Sequence, residues 1–213
     1  MPEKTIWRKR AEFVIENLKK RGMKGIYFEN SKESNEFIAS LIKKGSTVGL
    51  GGSTTIIQSG LIDKLRTLPI NLLDRYKQGI AKERVDEMRI ESLRSDVFIS
   101  STNAITISGQ IVSCDGLGNR VASMLYGPKK VIIQTGANKI VNSLTEAIER
   151  IHNIAAPQNV IRFSGDAICG KTGICDDEHC RYPERFCNGW SIIEGQSEQG
   201  RITVVFVGEK LGF

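Results

Sequence analysis

The sequence contains no apolar run that approaches the roughly 18 residues needed for a membrane-spanning helix. The stretch from Met1 to Lys20 is charged and lacks the apolar core of a signal peptide, so we expect no membrane partner and a cytoplasmic location. Aromatic residues make up only 7% of the chain, and basic residues alternate with acidic ones instead of forming an aromatic-spaced stripe. Nucleic acid is therefore not expected as a partner. The net charge of +6 suits small anionic substrates but does not by itself select a function.

Several catalytic signatures are also missing. No Gly-x-Ser-x-Gly elbow is present, and neither His152 nor His179 lies in a pattern typical of a catalytic triad, so serine hydrolase chemistry has little support. Cys114 follows an alternating run and is better explained as a half-buried strand residue than as a nucleophile. No internal repeat or long linker divides the 213 residues, of which 40% are hydrophobic. We therefore predict a single domain over residues 1–213 with a substantial core.

Short apolar segments alternate with helical patterns along the chain. This alternation predicts the α/β class, with a mostly parallel sheet covered by helices on both faces. The pattern of residues 3–21 predicts an amphipathic helix with Ile6 and Phe13 on its buried face, and residues 143–155 are predicted to form a helix that Pro157 ends. The predicted strands cover residues 25–28, 48–50, 70–73, 97–100, 130–134 and 202–207, with a hairpin over residues 104–113.

The apolar run of residues 48–50 ends in two glycines, which are followed by hydroxyl residues and a helical pattern containing Ile57, Leu61 and Leu65. This order predicts a strand, a tight glycine turn and a helix. Unpaired N–H groups and the helix dipole at such a junction favour phosphate or carboxylate binding, whereas the simpler interpretation is a turn in which Ser or Thr caps the helix. The turn is neither Gly-x-Gly-x-x-Gly nor a Walker loop, because no lysine follows the glycines. The candidate ligand-binding residues here are Gly51, Gly52, Ser53, Thr54 and Thr55.

Polar turns follow several other predicted strands. Since the ligands of open α/β sheets bind beyond the carboxyl ends of the strands, we expect these turns to converge on one cleft. Arg120 and Lys139 can pair with a carboxylate or phosphate, and Asp115 and Lys139 are the candidate catalytic residues, for proton transfer. The alternative for each residue taken alone is an ordinary loop position, with Lys139 solvated. The candidate ligand-binding residues in these turns are Asn103, Asp115, Gly116, Asn119, Arg120 and Lys139.

Four of the five cysteines lie within a predicted insertion at about residues 164–190, where regular patterning gives way to Gly, Asp and Cys. Gaps of five, four and six residues separate Cys169, Cys175, Cys180 and Cys187. These thiolates are candidate ligands of a [4Fe–4S] cluster or of Zn²⁺, with His179 as a substitute ligand, and the spacing does not distinguish the two. The alternative is a set of reduced thiols, or a pair that oxidises on isolation.

Six segments of the sequence, taken in order, resemble the lactate-utilisation (LUD) domain family, and the match covers roughly residues 10–190. The resemblance implies a Rossmann-like fold with a mostly parallel sheet of the ribose-5-phosphate isomerase/CoA-transferase type. In that superfamily a loop like residues 52–55 cradles phosphate. The six segments are Gly51–Ile56, Ser101–Thr106, Asp115–Ala122, Tyr126–Val131, Asn138–Val141 and Glu146–Ile151.

The resemblance also concerns the cysteines. Members of the family are associated with oxidation of L-lactate to pyruvate alongside iron–sulfur partner proteins, and short members often end in a tail of the form Cys-x5-Cys-x2-Cys-x6-Cys. Here the middle gap, Asp176 to His179, has four residues. The chain lacks the long ferredoxin-like extension of larger members, so we expect no second electron-transfer module. The resemblance therefore implies a short family member whose cysteine-rich tail holds a cluster or a metal.

Three functions are consistent with these patterns. The leading hypothesis is a protein that binds a small anionic metabolite, a carboxylate or phosphate, and is linked to lactate utilisation. The second is an isomerase- or transferase-type enzyme acting on a phosphosugar or acyl-CoA. The third is a non-catalytic assembly subunit whose cysteine tail docks onto an iron–sulfur partner. The expected partners are therefore the metabolite and iron–sulfur oxidoreductase subunits, and a homo-oligomer is also compatible with the sequence.

Overall fold

The central element of the protein is a parallel sheet, seen in a computed structural model that describes residues 2–213. The strands are β1 (Lys24–Phe28), β2 (Thr47–Leu50), β3 (Asn71–Leu73), β4 (Val97–Ser100), β5 (Ala104–Thr106), β6 (Ile111–Asp115), β7 (Lys130–Gly136), β8 (Ile140–Val141), β9 (Gly189–Ile193) and β10 (Ile202–Val207). The helices are α1 (Pro2–Lys20), α2 (Ser31–Ser40), α3 (Thr54–Gln58), α4 (Leu61–Arg66), α5 (Lys82–Ser92), α6 (Asn119–Leu125), α7 (Leu144–Arg150), α8 (Ala156–Arg162) and α9 (Ile168–Thr172). A 3₁₀ turn covers Ala137–Lys139 and a π turn covers Ile151–Ala155. Among these helices, none combines the length and the apolarity that crossing a membrane requires.

The main sheet has six strands in the order β1-β10-β7-β4-β2-β3, and every neighbouring pair runs parallel. The last strand, β10, lies between β1 and β7, so the final apolar segment returns to the sheet as predicted. Helices cover both faces of this sheet. The structure therefore confirms the α/β class and the Rossmann-like parallel arrangement.

The alternating side chains of β10 divide the core between the two faces of the sheet. Val204 and Phe206 point to one face, where they belong to the same buried cluster as Val14 and Leu18 of α1. Val205, between them, belongs to the cluster on the other face, which also contains residues of α2, α3 and α4. Side chains in a strand alternate between faces, so a continuously apolar strand such as β10 fits a sheet that is buried on both sides.

A second, four-stranded sheet in the order β8-β5-β6-β9 was not predicted. Its centre is the antiparallel pair of β5 and β6, which confirms the hairpin. Strand β9 follows the cysteine-rich segment and pairs antiparallel with β6, with Trp190 opposite Cys114 and Gly189 opposite Asp115. This pairing brings the end of the cysteine-rich segment beside the turn that follows β6.

The prediction of which α1 residues are buried is partly wrong. Ile6 and Phe13 are 56% and 59% exposed, whereas Ala11, Val14 and Leu18 are fully buried. These three residues follow the i, i+3, i+7 spacing of one helix stripe, and Phe13 lies about 100° away from Val14 around the axis. The helix therefore buries a narrower stripe than the apolar residues suggest.

The helix predicted after the glycine turn is divided into α3 and α4. Gly60 adopts a left-handed conformation with φ of 72° between them, and Ile57 is 46% exposed. Glycine takes this conformation readily, so the chain can turn here and place Leu61 and Leu65 of α4 in the core. Helix α3 is left with five residues.

Pro157 does not end the helix that begins with α7, so this prediction is also wrong. The π turn joins α7 to α8, and the N–H of Ala156 reaches back five residues to the carbonyl of Ile151. Such a turn changes the register of the hydrogen bonds, and Pro157 then occupies the first turn of α8, where a missing N–H is tolerated. The helix therefore continues to Arg162.

Candidate functional site

The polar turns predicted to carry a ligand converge on one cavity of about 350 Å³. The turns follow β2, β4 and β7 of the main sheet and β6 of the second sheet, consistent with the rule that ligands bind beyond the carboxyl ends of strands. Gly51 itself lies behind the wall, where its N–H donates to the Ile99 carbonyl at 2.9 Å. The ligand-binding role of these residues stays a prediction. The predicted residues that line the cavity are Gly52, Ser53, Thr54, Thr55, Asn103, Asp115, Gly116, Asn119, Arg120 and Lys139.

The glycine turn is closed by hydrogen bonds within the protein. Ser53 Oγ accepts from the Ile56 N–H at 3.3 Å, and the Ser53 N–H donates to Tyr76 Oη at 2.8 Å. Tyr76 Oη donates in turn to the Gly51 carbonyl at 2.8 Å. A Cβ at Gly51 would lie 2.3 Å from Ser100 Oγ, so close packing requires glycine there. Ser53 thus caps α3, and because this helix is short, side chains rather than the helix dipole must dominate any anion site.

Lys139 is 3% exposed, so the alternative of a solvated lysine is wrong. Its Nζ donates to Thr55 Oγ1 at 2.8 Å, to the Thr102 carbonyl at 3.1 Å and to Ser101 Oγ at 3.3 Å. No carboxylate in residues 2–213 forms an ion pair with it. Burial holds the pKa of Lys139 well below its usual value, and the positive charge of Arg150 acts in the same direction. The amine therefore has neutral acceptors but no counter-ion.

Asp115 and Arg120 form a buried ion pair, with both side chains 9% exposed. Asp115 Oδ2 accepts from the N–H groups of Arg120 and Val121 at 2.9 and 3.0 Å, and Oδ1 accepts from Arg120 Nε at 2.9 Å. Arg120 also donates to the Ser101 carbonyl and to Asn103 Oδ1, both at 2.7 Å. Asp115 therefore anchors the start of α6 and orients Arg120, and its role in proton transfer stays a prediction.

Three arginines that were not among the predicted site residues also line the cavity: Arg75, Arg89 and Arg162. Arg89 pairs with Asp86, whereas neither Arg75 nor Arg162 has a carboxylate partner in the described part of the chain. Burial lowers the pKa of both unpaired guanidinium groups. Arg75 comes two residues after β3, so the rule used for the other polar turns could have found it. Arg162 lies beyond Pro157, where the helix was expected to have ended.

The outer part of the cavity is aromatic as well as cationic. Phe163 and Phe186 stack with their ring centroids 6.3 Å apart, and Arg162 lies over the Phe163 ring at 4.2 Å. Phe213 contributes a third ring to the wall. The Phe163 ring covers one face of the guanidinium and holds it by a cation–π attraction, while Arg162 as a whole stays exposed and accessible to an anion.

The four clustered cysteines line one smaller cavity of about 20 Å³, which shares Ala156, Phe186 and Cys187 with the larger one. Zn²⁺ held by four thiolates at about 2.3 Å would bring the sulfurs to about 3.8 Å from one another. In residues 2–213 no three cysteine sulfurs lie within 4.8 Å of one another, so the thiols do not form a ready tetrahedral site. The cavity has room for about one water molecule, and a [4Fe–4S] cube needs more. The present arrangement fits neither group, and the metal or cluster on Cys169, Cys175, Cys180 and Cys187 stays a prediction.

Cys114 is half-buried in β6, which agrees with its predicted place in a strand. Interaction between its thiol and that of Cys187 lowers the pKa of Cys187 and raises that of Cys114. Both side chains line the larger cavity. His179, the substitute ligand considered above, instead lies at the surface, where its Nδ1 is 3.0 Å from Asp176 Oδ1.

The parallel sheet and its cationic cavity define an α/β protein with a pocket at the carboxyl ends of the strands. The chain belongs to the LUD domain family, whose model matches residues 11–207. This family is linked to lactate utilisation. The match confirms the family resemblance, while the subtype with a cysteine-rich tail stays a prediction.

A solved structure shows the same fold at low sequence identity. A DUF162 family protein from Deinococcus radiodurans aligns with a TM-score of 0.52 and 11% identity, over 94% of this chain and 97% of that one. The eIF2B beta subunit from Chaetomium thermophilum aligns over 55% of this chain and 44% of that one, with a TM-score of 0.38 and 14% identity. A search of curated protein sequences gives no match.

Proposed function

We propose that the protein binds a small anionic metabolite, a carboxylate or a phosphate, in the cavity lined by the glycine turn and Lys139. One observation carries the proposal: the Lys139 amine is buried against the hydroxyls of Thr55 and Ser101 without a carboxylate partner. A buried cation without a counter-ion is unfavourable. A bound anion beside Nζ supplies the missing charge.

The surrounding charges favour the same conclusion. Arg150 lies behind the cavity wall and donates to the Asn103 carbonyl at 2.6 Å, and burial lowers its pKa to about 10. Arg75, which is half-buried, and Arg162, which is exposed, line the same cavity, so three guanidinium groups in or beside its wall have no carboxylate partner in the described residues. Repulsion among these cations falls when an anion binds between them. The Thr54 hydroxyl, buried without a hydrogen-bond partner in residues 2–213, provides a further donor.

Family membership gives the ligand a context. A protein linked to lactate utilisation encounters lactate and pyruvate, both carboxylates. The cavity of about 350 Å³ lies within the range of ligand pockets, about 300–1,000 Å³, and is larger than either acid requires. A longer ligand with a phosphate or a second carboxylate would occupy both the Lys139 end and the arginine-rich outer part.

A second candidate function is an isomerase- or transferase-type reaction on a phosphosugar or acyl-CoA. The lowered pKa of Lys139 favours it, because burial makes the amine easier to deprotonate than a solvated lysine and so better suited to accept a proton. This candidate differs from simple binding in requiring turnover by the isolated chain.

Calorimetric titration of the purified protein at low salt tests the proposal. Lactate, pyruvate, inorganic phosphate and ribose 5-phosphate are titrated separately up to millimolar concentrations. We expect at least one of them to saturate the protein at one site per chain, with an affinity that falls as salt is added. Absence of saturable binding by all four anions would contradict the proposal. Monitoring the same mixtures for product separates binding from the catalytic alternative.

A further inference from the structure

A half-buried histidine, a half-buried cysteine and an exposed aspartate from two segments of the chain meet beside the smaller cavity. His152 lies in the π turn, and Cys175 and Asp177 lie in the cysteine-rich segment. A ring nitrogen of His152, Cys175 Sγ and an Asp177 carboxylate oxygen all lie within 4.8 Å of one another. A π turn within a longer helix frequently marks a functional site.

The imidazole of His152 provides a second, independent observation. Its Nε2 is buried and has no hydrogen-bond partner in residues 2–213. The ring meets Trp190 edge-to-face, with centroids 5.3 Å apart and an interplanar angle of 83°, so packing restricts its orientation. Buried side-chain nitrogens are nearly always paired, and because no protein atom pairs with this one, a bound ligand or a water has to satisfy it.

The three donors match the preferences of one ion in particular. Imidazole nitrogen, thiolate sulfur and carboxylate oxygen are the three ligand types of Zn²⁺ in proteins, with bonds of about 2.0–2.3 Å. Mg²⁺ and Ca²⁺ prefer oxygen ligands alone, so they do not suit this set. Asp177 Oδ1 already accepts from Arg185 at 2.6 Å, but a carboxylate has a second oxygen, and Arg185 can orient the group as an outer partner.

We propose that His152, Cys175 and Asp177 bind a single Zn²⁺ ion, which fastens the cysteine-rich segment to the π turn. The site differs from a four-cysteine site because only Cys175 is common to both. Three protein ligands leave a fourth position for water or for another donor. Asp177 and Cys175 line the smaller cavity, whose wall is shared with the larger one, so the ion stabilises one side of the anion pocket.

Metal titration of the metal-free full-length chain tests this site. We expect one equivalent of Zn²⁺ to bind, and His152→Gln and Asp177→Asn each to weaken binding at least tenfold. The matched controls are His179→Gln and Asp176→Asn, which change the same residue types in an exposed pair three residues apart. These two variants should bind Zn²⁺ as the unmodified protein does. Circular dichroism confirms that each variant is folded.

Cobalt substitution identifies the ligands directly. Co²⁺ in this site should show a thiolate-to-cobalt charge-transfer band with the intensity of one sulfur ligand, lost in Cys175→Ser and kept in Cys169→Ser. The conservative variant His152→Cys should retain binding and increase the band. Metal binding that survives His152→Gln but is lost in Cys169→Ser, Cys180→Ser or Cys187→Ser would overturn the proposal in favour of a four-cysteine site. Absence of Zn²⁺ binding at micromolar concentration would also overturn it.

Discussion

Lys139 Nζ lies 2.8 Å from Thr55 Oγ1, a contact between residues 84 positions apart in the chain. The glycine turn after β2 has no lysine of its own, and the 3₁₀ turn after β7 supplies one from another strand of the sheet. Glycine backbone, hydroxyl groups and a buried amine therefore meet at one place. This combination is the chemical basis of the proposed anion site.

The first prediction concerns the pH dependence of stability. Burial lowers the pKa of Lys139 in the folded protein below its unfolded value of about 10.4. Between these values the unfolded chain binds more protons, so the contribution of Lys139 to stability becomes less favourable as pH falls through this interval. Urea denaturation should show that, as pH falls below ~10, the unfolding free energy of Lys139→Met increases relative to that of the unmodified protein. Lys44→Met, at an exposed lysine, is the control. If the difference in unfolding free energy between Lys139→Met and the unmodified protein does not vary with pH, the prediction is contradicted.

The unpaired arginines should contribute to anion affinity. Arg75→Gln and Arg162→Gln each remove one cation from the cavity wall, and we expect a loss of about tenfold, or roughly 1.4 kcal/mol, for a ligand that reaches the outer part. Arg84→Gln is the matched control, because Arg84 is exposed on α5 and pairs with Glu91 away from the cavity. Calorimetry at low salt measures the three affinities. Equal effects of all three substitutions would indicate only a general electrostatic attraction.

A carboxylate built into the glycine turn should imitate the ligand. A Cβ at Gly52 would meet nothing closer than Arg75 Nη1, at 3.6 Å, so the structure has room for a side chain there. We expect Gly52→Asp to pair with Arg75 and to weaken anion binding at least tenfold, while stability changes by less than about 1 kcal/mol. Gly52→Asn, of the same size but neutral, should weaken binding less. Equal losses in the two variants would show that the effect is steric.

The buried ion pair makes a prediction about stability. Asp115→Ala leaves the Arg120 guanidinium buried without its partner and removes the acceptor of two N–H groups, so we expect a loss of about 3–5 kcal/mol in unfolding free energy. Asp63→Ala removes an exposed pair with Arg66 and should cost less than about 1 kcal/mol. Urea denaturation compares the two variants. A loss of less than 1 kcal/mol for Asp115→Ala would contradict the positioning role of Asp115.

The main sheet was predictable because its signals are local. Strands such as β4 and β10 are continuous apolar segments between polar turns, and their number and order along the chain indicate a parallel sheet. The second sheet gives a weaker signal. Strand β8 has two residues, and β9 exposes Trp190 and Ile192 in alternation within a segment dominated by glycine, aspartate and cysteine.

The loops that form the candidate site could be predicted from the sequence, but the residues that meet one another there could not. The general rule for α/β sheets identified the turns around Thr55, Asp115 and Lys139 without any knowledge of distance. Arg162 was missed because the π turn lets the helix continue through Pro157, and no local pattern indicates such a turn. The convergence of His152 with Cys175 depends on the path of a segment with little regular structure, which spacing alone does not determine.

The most direct test of the account is the affinity of Lys139→Met for the anion that binds the unmodified protein most tightly. Methionine keeps a long unbranched side chain in the same space but removes the charge and the donor. The account predicts a loss of at least about tenfold in affinity, roughly 1.4 kcal/mol, with the fold intact by circular dichroism. Unchanged affinity in this variant would show that the buried amine is not the anion receptor and would contradict the central claim.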